Sequence, residues 1–148
     1  MPNFFVDLQN PRSLISMNTT LRKTQLSFSH DVLNIKFVEN SVIEVEDVIF
    51  IYCYAIERSK GKPYGVLFDT YSKHELTEEA ILYFTKSAQL NNVIAIAYIS
   101  KDLISKIRLS LLKIFERPPV KIKLFSDEEK GSEWLIQEIE ALEVMQSA

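Results

Sequence analysis

Val93-Ile94-Ala95-Ile96-Ala97-Tyr98-Ile99-Ser100 is apolar at every position but the last. A strand of that composition has no solvent-facing side, so protein must cover both of its faces. Asn91-Asn92 before it and Ser100-Lys101-Asp102 after it bound the run. It reads as an interior strand of a parallel or mixed sheet, with helices on either side as cover.

Working outward, Thr77-Glu78-Glu79-Ala80 opens a helix: Thr77 can accept from free amides, and two acids sit in the first turn. Ala80, Ile81, Phe84, Ala88 and Leu90 continue it with roughly helical spacing. On the other side, Lys101 to Glu116 predicts a long amphipathic helix, ended by Arg117-Pro118-Pro119. Val120, Ile122 and Leu124 alternate with Lys121 and Lys123, as in a strand near the sheet's edge. Ser126-Asp127-Glu128-Glu129 has the spacing of a capping box for a last helix, with Trp134 as its anchor on the sheet.

Upstream, Tyr64 to Thr70 predicts a short buried strand ending in Asp69. Glu44 to Lys60 pits two rules against each other. The run Val48 to Ile56 has strand propensity, but acids at 44, 46 and 47, cations at 58 and 60, and Gly61 before Pro63 mark a helix. The spacing predicts a helix. Leu26 and Phe28, then Leu33, Ile35 and Phe37, alternate with polar residues around a His30-Asp31 turn, which predicts a hairpin. Residues 1–20 read as an irregular arm and 21–148 as one domain, in the order β-β-α-β-α-β-α-β-α on a single α/β sheet.

With 148 residues and 47% hydrophobic content, the chain can build a core without staples. Its single cysteine, Cys53, suits a reducing cytoplasm, where the chain is expected. No apolar run is long enough for a membrane helix, and polar residues in the first ten positions break up any signal peptide. A net charge of -3 argues against nucleic acid as a partner. Charge is unevenly placed: residues 101–123 carry seven basic side chains against two acids, and 127–143 carry seven acids against one lysine. Two solvated faces that attract each other explain this most simply. Lys106, Arg108, Lys113 and Arg117 are the candidates for a basic surface toward an acidic partner or an anionic membrane. No histidine or cysteine has companions at metal-ligand spacing, and no cofactor is expected.

Lys62-Pro63-Tyr64-Gly65-Val66-Leu67-Phe68-Asp69, the strand from Val93 to Ser100, and Pro118 to Glu129 followed by Trp134-Leu135 resemble the SpoIIAA-like, or STAS-like, bacterial proteins. The resemblance spans roughly Leu26 to Leu142. It implies the βα superhelix shared by STAS and CRAL-TRIO domains, a mixed sheet with an N-terminal hairpin, and no reaction. Anti-sigma-factor antagonists of this class carry a phosphorylatable serine in an Asp-Ser-Ser/Thr-Gly stretch. This chain has Ser72-Lys73-His74-Glu75-Leu76-Thr77 there, with no Asp-Ser pair and no glycine, so the phospho-cycle does not transfer.

Asp69, Thr70, Ser72, His74 and Glu75 fall at and beyond the carboxyl end of a parallel strand, where open α/β sheets tend to bind ligands. A histidine between carboxylates could act as a base, but His74 and Glu75 are sequence neighbours in an expected loop with no nucleophile at a diagnostic spacing. Thr77 is most simply a helix cap, though it and Ser72 lie near the family's modified position. The reading is a non-enzymatic domain acting through protein contacts, with an unspecified protein or a second copy of itself. The alternative is a small apolar-ligand or membrane-surface module, for which lipid would be the partner.

Overall fold

The computed structural model describes residues 22–70, 74–100 and 120–147. The arm expected over 1–20, the helix expected over 101–116 with Lys106, Arg108, Lys113 and Arg117, and Ser72 lie outside the described residues. Strands β1 (Thr24–Ser29) and β2 (Val32–Phe37) form the expected antiparallel hairpin. His30 and Asp31 both take left-handed backbone angles, φ 54 and φ 60, the two-residue turn whose twist matches its strands.

A short strand β3 (Ser41–Ile43) leads into helix α1 (Val45–Ser59), so the end signals prevail over propensity. The reason is visible in what it buries: Val48, Ile51, Tyr52, Ala55 and Ser59 repeat at helical spacing. Asp47 Oδ2 accepts from the Glu44 backbone N–H at 2.8 Å and from Lys23 Nζ at 3.0 Å, tying the helix start to the residue before β1. Lys60 and Gly61 then turn left-handed, φ 55 and φ 77, and stop it.

Strand β4 (Tyr64–Asp69) is followed by β5 (His74–Leu76), helix α2 (Glu78–Ser87) and a 3-10 turn (Gln89–Asn91). Strands β6 (Val93–Ile99) and β7 (Lys121–Phe125) and helix α3 (Glu128–Ser147) complete the described elements. The main sheet runs β1-β2-β4-β6-β7, parallel except for the hairpin, with β6 inside as the opening stretch requires. The two extra strands were not expected. His74 and Glu75, read as loop, form β5 and pair in parallel with β3 through Ser41↔His74 and Val42↔Glu75. Three residues are too few to show an alternating pattern. The start of α3 also shifts by one position: Asp127, not Ser126, precedes the helix, and its carboxylate accepts from the Glu129 N–H at 2.8 Å.

The two faces of the main sheet are packed differently. Leu33, Ile35 and Phe37 of β2, Val66 and Phe68 of β4, and Ile96 and Tyr98 of β6 form a large-residue face under α1 and α2. The opposite face carries Gly65, Leu67, Ala95, Ala97 and Ile99 under α3. Small residues let the helix settle close. A Cβ at Gly65 would lie 3.0 Å from Leu135 Cδ2, and one at Gly131 would lie 2.7 Å from Ile99 Cδ1. Leu135→Ala should therefore cost about 3 kcal/mol in a urea melt. Gly65→Ala should be destabilising in the parent chain and nearly neutral once residue 135 is alanine. Additive costs in that double-mutant cycle would mean that α3 does not rest on Gly65.

Candidate functional site

The carboxyl ends of the parallel strands hold residues that the sequence singles out, and Thr70 among them helps to close the sheet. Thr70 follows β4; its N–H and Oγ1–H both donate to Ile99 O, at 3.0 and 2.6 Å. Ser100 N–H donates to Phe125 O at 3.0 Å, so the next pair of strand ends is stitched too. Asp69 is half-buried at the end of β4. His74 and Glu75 belong to the other sheet, beside Ser41 and Val42, and Glu75 is exposed. The three groups of the catalytic alternative are thus divided between two sheets. Thr77 caps α2: its Oγ1 accepts from the Ala80 N–H at 3.1 Å, while its own N–H donates to Ile43 O. Among the described residues, no group of three or more His, Cys, Asp and Glu could hold a metal ion, and no helix is long and apolar enough to cross a membrane.

Beneath these ends lies a wholly apolar cavity. Phe37, Phe68, Ile96 and Tyr98 of the sheet, Val48 and Ile51 of α1, Ile81 and Phe84 of α2, and Ile43 and Leu76 of the small sheet all face it. Its volume is about 20 Å³, room for one water and far short of the ~150 Å³ that admits a benzene-sized guest. The walls are held by aromatic contacts. Phe68 stacks on Tyr98 with centroids 5.4 Å apart and meets Phe37 at 4.9 Å, while Tyr52 stacks on Phe84 at 5.6 Å. Tyr52 Oη also donates to Phe84 O at 2.6 Å, pinning α1 to α2.

Among the described residues, burial is the largest cause of each perturbed titration. Burial raises the pKa of Tyr52, Tyr64 and Tyr98 well above the ordinary phenol range, with neighbouring Tyr64 and Tyr83 adding to the effect at Tyr52. Burial likewise pushes the half-buried Cys53 thiol up to about 11, the opposite of an activated nucleophile. The Tyr64 and Tyr98 hydroxyls are buried without a hydrogen-bond partner among the described residues.

A wider concavity lies at the other end of the sheet. Pro63 before β4, Val93 and Ile94 opening β6, Lys121 opening β7, and Gln89 and Asn92 form one wall of an open groove of about 430 Å³. Glu138, Ala141, Leu142 and Met145 of α3 form the other. Lys121 Nζ reaches Glu138 Oε2 across it at 2.8 Å. The groove exists because α3 outruns its sheet. Its 20 residues span about 30 Å, against about 23 Å for the 7 residues of β6. Ile139 is its last buried residue, and beyond it Val144 and Met145 are 67% and 75% exposed. Leu90, beside the groove's Gln89, is 71% exposed. Sequence reasoning named none of these groove residues as a site; apolar side chains continuing past the reach of a short strand were the available signal.

Several comparisons bear on this architecture. The family model described as a domain of unknown function, DUF7793, matches residues 26–139. A solved structure of an uncharacterised DUF3478-family protein with a SpoIIAA-like fold, from Shewanella loihica PV-4, superposes with a TM-score of 0.55 at 18% identity. The match covers 76% of this chain and 91% of that one. At such identity the likeness establishes a SpoIIAA-like fold and nothing more. No curated protein matches the sequence.

Two outcomes follow from the buried phenols. Tyr98→Phe should leave stability unchanged or raise it by up to ~1 kcal/mol, because the hydroxyl it removes is desolvated without compensation. A loss of more than that on thermal melting would reveal a partner for Oη. The second concerns alkali. A group whose folded pKa is raised loses stability as pH climbs past its unfolded value, because only the unfolded chain then releases the proton. Folding stability should therefore hold through neutral pH and fall above pH ~9, where unfolded cysteine and then tyrosine ionise. Tyrosinate absorbance from Tyr52, Tyr64 and Tyr98 should appear only with unfolding, which an ultraviolet titration run beside circular dichroism reads directly.

Proposed function

This chain belongs to the DUF7793 family, a domain of unknown function, and we propose from its own surfaces that it is a non-enzymatic regulatory domain working through protein contacts. The observation carrying this reading is the open groove between the overhanging end of α3 and the amino ends of β4, β6 and β7. Its chemistry fits an apolar side chain of a protein partner. Ile94 and Leu142 supply a hydrophobic floor, and exposed Val144, Met145 and Leu90 supply apolar area that water does not favour. The polar end of the sheet supports the same reading by what its groups are spent on: Thr70 and Ser100 bond strand ends, and Thr77 caps a helix. We place the domain in the cytoplasm, where its only cysteine, Cys53, stays a thiol.

The apolar-ligand alternative has one supporting observation, the aromatic-walled cavity, and its size weighs against it. A ligand entering it would have to widen walls held by the Phe68–Tyr98 stack and the Tyr52–Phe84 hydrogen bond.

Zero-length and lysine-reactive crosslinking in host extract, mapped by mass spectrometry, tests the protein-contact reading. Partner crosslinks should concentrate on Lys62, Lys121 and the acids of α3, and Met145→Glu should remove them without changing the melting temperature. Crosslinks that fall elsewhere, or that survive Met145→Glu, would sink it.

A further inference from the structure

We propose that the occupant of this groove is a second copy of the chain, docked about a two-fold axis so that each α3 end fills the other's groove. The inference rests on the protein-contact reading above and names its partner. A two-fold interface must be complementary to itself: the same patch has to carry both the knob and the hole, and both signs of charge. This patch does. The knob is the exposed Val144 with Met145, the latter also at the rim of its own groove; the hole is lined by Pro63, Ile94 and Leu142.

The charges are arranged in the same way. Along the last turns of α3, Glu140 and Glu143 are exposed and Glu138 is paired with Lys121, and the final turn of the helix carries no basic residue. Acids near a helix carboxyl end are unfavourable with its dipole, so this end gains from a cation supplied from outside. The turn beside the facing wall offers one. Lys60 and Lys62 are exposed on the turn after α1, and Asn92, a groove residue, holds that turn by donating from Nδ2 to Gly61 O at 3.2 Å. A two-fold rotation brings the acidic helix of one copy over the basic turn of the other, and does so twice. An unrelated partner would need to bring its own matched apolar and charged pattern; a second copy already has it.

The patch is narrow, drawn from two helix turns and three strand starts, which places it at the small end of stable interfaces. Association should therefore be concentration-dependent, with dissociation in the micromolar range of roughly 1–100 μM, and should weaken as salt rises.

Sedimentation equilibrium of the whole chain across roughly 1–500 μM tests this. The parent chain should pass from monomer to dimer and no further, because a two-fold contact closes on itself. Met145→Glu should leave a folded monomer that melts as the dissociated parent chain does, since within one copy the side chain it replaces is 75% exposed. Lys62→Glu and Glu143→Lys should each weaken the dimer about tenfold, and the double swap should restore it. A parent chain monomeric throughout the series overturns the second-copy inference, while the mapped crosslinks to host proteins decide the broader reading separately. A dimer indifferent to Met145→Glu, or single swaps without rescue in the double variant, also overturns it.

Discussion

Everything in this molecule is built around one strand that cannot touch water. Strand β6 has apolar side chains on both faces, with Ile96 and Tyr98 on one side and Ala95, Ala97 and Ile99 on the other. A strand buried twice must be interior to its sheet and must have a layer above and below. The neighbours follow: β4 and β7 pair it in parallel, and parallel pairing demands crossovers long enough to hold helices. The two faces then meet that demand by opposite means. Large aromatics interlock with α1 and α2 on one, while small residues allow close approach of α3 on the other.

That asymmetry decides where the surface is available for other molecules. On the aromatic side, ring contacts and the Tyr52–Phe84 hydrogen bond leave a void of about 20 Å³, no larger than packed interiors usually tolerate. The small sheet of β3 and β5 contributes Ile43 and Leu76 to the same lining, near the end where ligands of open α/β sheets tend to sit. On the small-residue side, α3 must lie straight along the sheet to seat Gly131, Leu135 and Ile139, and a straight helix of its length runs out of sheet. The exposed apolar end is thus a consequence of the same close packing.

How much of this the sequence discloses depends on whether a feature is local. The hairpin, the interior strand, Thr77 as a cap and the helix from Val45 to Ser59 are legible because periodicity and end signals lie within a few residues of each other. The α1 segment shows the weight of those signals, since its β-branched and aromatic content favours a strand until Asp47 and Lys60 are considered. Features made by distant partners are not legible. Strands β3 and β5 are too short to leave a period and exist only through each other. The groove draws on Pro63, Asn92, Lys121 and Met145, which no spacing rule connects.

The candidate residues at the carboxyl end illustrate why polar side chains at a favoured place need not make a site. A polar group near the edge of a core has to be satisfied before it can be spared for chemistry. Thr70 satisfies a carbonyl on β6, Thr77 satisfies an amide of α2, and Ser100 and Phe125 bond through their backbones. Each of these interactions stabilises the join between elements, and a hydroxyl committed to a carbonyl at 2.6 Å is poorly placed to serve as a donor to anything else. At the amino end the balance is reversed. Glu138 and Lys121 make one exposed pair that contributes little to stability, and the apolar side chains beyond it gain nothing from folding that they would not gain more of from contact. Surface that folding leaves unspent is where association can still lower the free energy, and among the described residues the exposed end of α3 is such a surface.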